Sequence, residues 1–134
     1  MHKLALLLIS LLAGACAAPN ASLVAPSAAG KPDAEVSKLV AASEAKLFPC
    51  TIERVKDAAG VDVPALAGAF VTTLTLPPGQ YEVTLQCSSG YHVFKPSATL
   101  VAKAGKGYRI TGYLIDDSIT IFTMKMRAKV SQLP

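Results

Sequence analysis

From Leu47 to the C-terminus, apolar and polar residues alternate with the two-residue period of strands that have one covered face. Six runs carry the pattern: Leu47–Val55, Ala69–Leu76, Gln80–Cys87, Ala98–Lys103, Tyr108–Ile115 and Ile119–Val130. Turn residues separate them, at Ala59-Gly60, Pro77-Pro78-Gly79, Ser89-Gly90, Gly105-Lys106-Gly107 and Asp116-Asp117. The aspartate pair sits between two apolar runs and predicts a tight hairpin. Short strands at regular spacing predict an all-β fold, a small antiparallel β-sandwich over residues 47–134. Within Gln80–Cys87, residues Tyr81, Val83, Leu85 and Cys87 share the apolar face, and in Phe48–Ile52 the same face takes Phe48, Cys50 and Ile52.

The first part of the chain has a different texture. Residues 16–33 are rich in Ala, Ser and Pro and read as a flexible tether. Residues 34–46 are ambiguous. Asp33 suits a helix N-cap, Glu35 its first turn and Lys46 its last, with Val36, Leu39, Val40 and Leu47 near one face. Val36 to Val40 also suits a short first strand. The helix is the preferred reading.

Residues 1–15 are patterned for export. Met1-His2-Lys3 carries positive charge, Leu4 to Leu12 is apolar and uncharged, and small residues follow. The apolar run falls short of the roughly 20 residues a transmembrane helix needs. The sequence Leu12-Ala13-Gly14-Ala15-Cys16 resembles the lipobox of bacterial lipoproteins. The resemblance implies cleavage before Cys16, acylation of Cys16, and a membrane partner reached through that N-terminal anchor. Ala17 rather than Asp follows the cysteine, which in enterobacteria-like sorting implies the outer membrane, facing the periplasm. Plain secretory cleavage at a small-x-small site, leaving a soluble product, is the alternative.

Cysteine parity bears on the same question. Cys16, Cys50 and Cys87 make an odd count. If Cys16 is lipidated, Cys50 and Cys87 remain, both on apolar strand faces, in a compartment that permits a disulfide. Two buried free thiols are the competing reading.

Charge and chemistry narrow the function classes. Removing Lys3 lowers 13 Lys+Arg to 12 against 9 Asp+Glu, a net charge of +3. That mild excess, with no tryptophan, does not suit a nucleic-acid surface. Lys125, Arg127 and Lys129 share one face of the last run, opposite Phe122, Met124, Met126, Ala128 and Val130. They are candidate contacts for lipid phosphate or anionic glycan, or a solvated face that keeps an edge strand from pairing. No catalytic set is evident. Ser88, Ser89 and His92 are close in sequence but lack a G-x-S-x-G elbow. A zinc site wants more His and Cys ligands than remain. No cofactor or metal is expected.

Leu76-Pro77-Pro78-Gly79-Gln80-Tyr81-Glu82-Val83, then Gly90-Tyr91, then Leu100 to Lys106, resembles PEGA-type repeats and related carboxypeptidase-regulatory or transthyretin-like sandwiches. The resemblance covers Leu76 to Leu114 and implies an immunoglobulin- or transthyretin-like, non-catalytic binding or spacer module. The expected function is therefore a lipid-anchored envelope protein with a protein or glycan partner. The alternatives are a soluble small-ligand binder with Tyr91, His92 or Tyr113 at the mouth of an apolar cavity, and an enzyme using His92 as a base.

Overall fold

In Gly79–Ser89 the inward residues Tyr81, Val83, Leu85 and Cys87 are all buried, while the residues between them are exposed or half-buried. The computed structural model describes residues 21–64, 70–90, 92–115 and 124–134. Nine strands run through them: β1 (Ala21–Val24), β2 (Ser37–Ser43), β3 (Cys50–Asp57), β4 (Val71–Leu76), β5 (Gly79–Ser89), β6 (His92–Phe94), β7 (Ser97–Ala102), β8 (Gly107–Ile115) and β9 (Lys125–Gln132). They form one sheet in the order β6-β5-β3-β4-β2-β8-β9, with β7 also on β5 and β1 also on β4. The sheet is mixed and curls into a barrel-like sandwich that nearly closes, β7 coming alongside β9. Among the described residues there is no α-helix, and only two short 3-10 turns interrupt the strands.

The all-β class expected from the alternation is what the chain adopts. The purely antiparallel arrangement is not. β2 runs parallel to β8, and β1 parallel to β4. The helix expected over 34–46 is replaced by a 3-10 turn at Asp33–Glu35 and by β2. Alanine-rich segments favour helix by intrinsic propensity, but that preference is weak beside tertiary pairing. β2 has partners on both sides, β4 and β8, so both borders of its backbone are hydrogen-bonded. It buries Leu39, and it also buries Ser37, whose hydroxyl donates to the Lys103 carbonyl at 2.6 Å.

The tether is shorter than the Ala/Pro/Ser composition implies. Ala21–Val24 is strand β1, Ala25 N–H continues the pairing to the Thr75 carbonyl, and Ala25 and Ala28 are buried. The domain therefore includes residues from Ala21 onward rather than from 47. Two small residues, Ala25 and Ala28, are thus part of the core, an environment the composition alone does not reveal.

β3 departs from strict alternation. Cys50 and Ile52 are buried, then Val55, one position out of phase. The register against β5 slips between Ile52 and Arg54, which leaves Glu53 as the extra residue of a bulge. The bulge turns Val55 inward and Arg54 to solvent. At the other end of the chain, β9 pairs antiparallel with β8, Ile115 opposite Lys125. The tight hairpin expected at Asp116-Asp117 lies outside the described residues.

β8 comes close to the β3–β5 layer at a disulfide. Cys50 and Cys87 face each other in the β3–β5 ladder, Cα atoms 4.1 Å apart, and are joined. Their sulfurs lie over Gly112 of β8. A Cβ at Gly112 would sit 2.6 Å from Cys50 Sγ, 2.9 Å from Cys87 Sγ and 3.2 Å from Met126 Cε. Those sulfurs are bonded to each other and cannot swing aside, so the glycine is needed for space.

Two outcomes follow from this junction. Gly112→Ala lowers stability by about 1–3 kcal/mol, the usual cost of overpacking a core, in urea unfolding of the oxidised protein. An unchanged midpoint would mean the layers do not meet there. Replacing both Cys50 and Cys87 by Ala reopens a loop of 37 residues and lowers stability by about 3–4 kcal/mol, and in that background Gly112→Ala becomes much milder because the obstructing sulfurs are gone.

Candidate functional site

The residues singled out in the sequence fall in three places. Cys16 lies outside the described residues. Cys50 and Cys87 are 7% and 0% exposed, joined inside the core, and belong to the architecture rather than to a reactive surface.

Lys125, Arg127 and Lys129 all point outward from β9, while Met126, Ala128 and Val130 on the other face pack against the core. Lys129 is engaged within the protein. Its ammonium pairs with Glu44 and lies 5.1 Å from the centre of the Tyr113 ring. Of the basic ladder, Lys125 and Arg127 are thus the ones without an ion pair among the described residues.

The cavity-mouth residues do not converge. His92 lies on β6 as the ladder partner of Ser89, whereas Tyr113 lies on β8 opposite Arg127. Tyr91 is outside the described residues. Surface recesses among the described residues lie elsewhere, and neither His92 nor Tyr113 lines the three described next. The first, about 240 Å³, is polar and lies between Lys56, Asp57, Gln80, Tyr81, Glu82 and Thr99. The second, about 470 Å³, opens where β2 diverges from the start of β3 and is lined by Val40, Ala42, Lys46, Pro49 and Thr72. The third, about 210 Å³, is mostly apolar and is lined by Pro49, Thr51, Phe70, Gln86 and Ser88.

Hydrogen bonds fix the rim of the first recess. Asp57 Oδ1 accepts from the backbone N–H of Ala59 and of Val61, holding the turn after β3. Arg54 grips Asp62 through two bonds of 2.7 and 3.0 Å. The hydrogen bond from Arg54 holds the Asp62 carboxyl below its ordinary range, and the same bond raises Arg54. Both groups are solvent-exposed, so the pair orders the turn and adds little stability. Tyr81 forms the floor. Its hydroxyl donates to the Pro77 carbonyl at 2.7 Å, tying β5 back to the turn that starts it. Burial, and then the nearby Asp57 charge, raises the Tyr81 phenol above its ordinary value.

The third recess was not visible in the sequence. Phe70 shares parity with Leu74 and Leu76, which are buried. In the structure Val71 takes the core position, at 0% exposed, and Phe70 is 54% exposed. Val71 is where β4 meets both β1 and β3, and this junction resets the phase.

Among the described residues no group of His, Cys, Asp and Glu is arranged to hold a metal ion, and no helix is long and apolar enough to cross a membrane.

Tyr81 gives a pH signature with a definite sign. Its folded-state pKa is raised, so its stabilising contribution is complete below the unfolded value of about 10 and is lost as pH rises through the folded value. Tyr81→Phe lowers stability near neutral pH by about 0.5–1.5 kcal/mol, the net worth of the lost hydrogen bond. The gap between the two proteins then narrows in alkaline buffer, as followed by urea midpoints from pH 8 to 11. A gap that widened with pH would contradict the burial of this hydroxyl.

No protein-family model matches this chain, and neither the curated proteins nor the solved structures include a match.

Proposed function

We propose that this chain is a lipid-anchored protein of the cell envelope, in which a non-catalytic β-domain binds or braces another envelope component. The observation that carries the reading is the run Leu12-Ala13-Gly14-Ala15-Cys16 behind a basic start and an uncharged apolar stretch. The pairing of Cys50 with Cys87 supports it, because Cys16 is then the one cysteine left for acylation. A single acyl chain gives only marginal attachment, at about 0.8 kcal/mol per buried methylene, and several chains on one residue make the attachment lasting. Outer-membrane placement facing the periplasm is part of the proposal and rests on Ala17. The partner is an envelope protein or glycan, with Lys125 and Arg127 on β9 offering positive charge to an anionic one.

Metabolic labelling with a clickable fatty acid tests the anchor. The wild-type protein takes up label and partitions into the detergent phase. Cys16→Ser loses both properties while its domain retains the same thermal midpoint. Unlabelled wild-type protein in the aqueous phase, starting at a residue other than Cys16, would replace this reading with the soluble one. Crosslinking in intact cells then returns a discrete partner, and loss of that species with Lys125→Glu/Arg127→Glu identifies β9 as the contact.

A further inference from the structure

The point at which the N-terminal segment joins the domain is defined. Ala21 is the ladder partner of Val71, so the chain arriving from Cys16 meets the domain one residue away from Phe70. Five peptide steps separate Cys16 from Ala21, and a fully extended chain of that length spans at most about 18 Å. Part of that reach is used within the headgroup layer, which is roughly 5–7 Å deep on each side of the hydrocarbon. A domain held this closely has one end against the bilayer.

That end carries exposed apolar side chains. Phe70 is 54% exposed over the recess it shares with Pro49, Thr51, Gln86 and Ser88. Ladder register puts Thr51 opposite Gln86 and Ser88 opposite Val93, so these four residues share the outward face of β3, β5 and β6. Val93, 50% exposed, thus lies beside the recess. Leu47, 76% exposed, precedes the Phe48–Pro49 corner, where Phe48 stacks edge-on against Phe94 and the Pro49 carbonyl accepts from Ser88 N–H.

The charges of this region match a membrane surface. Glu44 and Glu53 are each paired, with Lys129 and Lys95. Lys46, next to Leu47, is exposed and makes no ion pair among the described residues. A lysine beside apolar side chains can rest its stem on them and place its ammonium among lipid phosphates.

We propose that the apolar recess around Phe70, flanked by Leu47 and Val93, is the face the domain lays on the bilayer, with Lys46 on lipid phosphate. The inference rests on the anchoring of Cys16 proposed above and adds an orientation to it. The outward face of β7 and the polar recess at Gln80 then point away from the membrane. Ser88 and Gln80 are eight residues apart on β5, a separation of about 27 Å along the strand.

The absence of tryptophan from the chain permits a direct test. The full-length acylated protein is reconstituted into vesicles of phosphatidylethanolamine and phosphatidylglycerol with brominated acyl chains. Single tryptophans are introduced as Phe70→Trp, Val93→Trp and, at the far end of the outer face, Val101→Trp. All three native side chains are at least half exposed, so each variant keeps the wild-type melting curve. The expected result is blue-shifted emission and at least about threefold stronger bromine quenching for Phe70→Trp and Val93→Trp than for Val101→Trp, as for side chains seated 5–10 Å into the interface. Vesicle-bound, acylated protein in which all three tryptophans are equally unquenched would overturn the orientation and leave the anchor standing. Protein that carries no acyl adduct on Cys16 by intact mass and washes off the vesicles would overturn both.

Discussion

The fold depends on how closely its two layers approach at Gly112. A covalent link between adjacent strands is local when only those strands are considered. Here the Cys50–Cys87 bridge also acts as a filler, because its sulfurs occupy the space that a side chain on β8 would otherwise take. The β3–β5 layer is thereby set against β8, with Met126 of β9 closing the side. Three features of the sequence are bound to one another: two cysteines on inward positions, and a glycine in the middle of β8. Glycine weakens a strand interior by itself. At this position that cost is offset by the packing it allows.

What could be read from the chain was whatever depended on near neighbours. The alternation of Gln80–Cys87 gave the right inward set because β5 is long, lies within the sheet and keeps one phase from Tyr81 to Cys87. The breaker clusters marked most strand boundaries, since Gly60 and Gly105 take positive φ where the chain must turn. Features that depend on distant partners were not legible. Ala41-Ala42 are strand residues because β8 lies beside them, some seventy residues later in the chain. Ala21–Val24 is a strand because β4 offers a free border. Of the two segments only Val36 to Val40 carries a strand pattern of its own, and parallel pairing has no local turn to announce it.

The candidate sites divide in the same way. The cysteine pair was legible because parity and count both bear on it. The outward direction of Lys125, Arg127 and Lys129 followed from alternation, but the engagement of Lys129 by Glu44 and Tyr113 did not, since those groups come from β2's end and β8. The exposure of Phe70 beside the buried Val71 has no signal in the sequence, because a phase shift at a three-strand junction is invisible to a fixed period. His92 and Tyr113 stood out by chemistry alone, and the topology keeps them on separate strands.

β7 and β9 run alongside each other without sharing a ladder. Among the described residues their facing N–H and C=O groups have no ladder partner, whereas interior strands are paired on both borders. Strand borders without a ladder open at a lower free-energy cost than strands paired on both sides, so amide protons along this seam are expected to exchange with solvent sooner than those of β3 or β5. The molecule is less a sealed cylinder than a rolled sheet whose two margins lie side by side without a ladder between them.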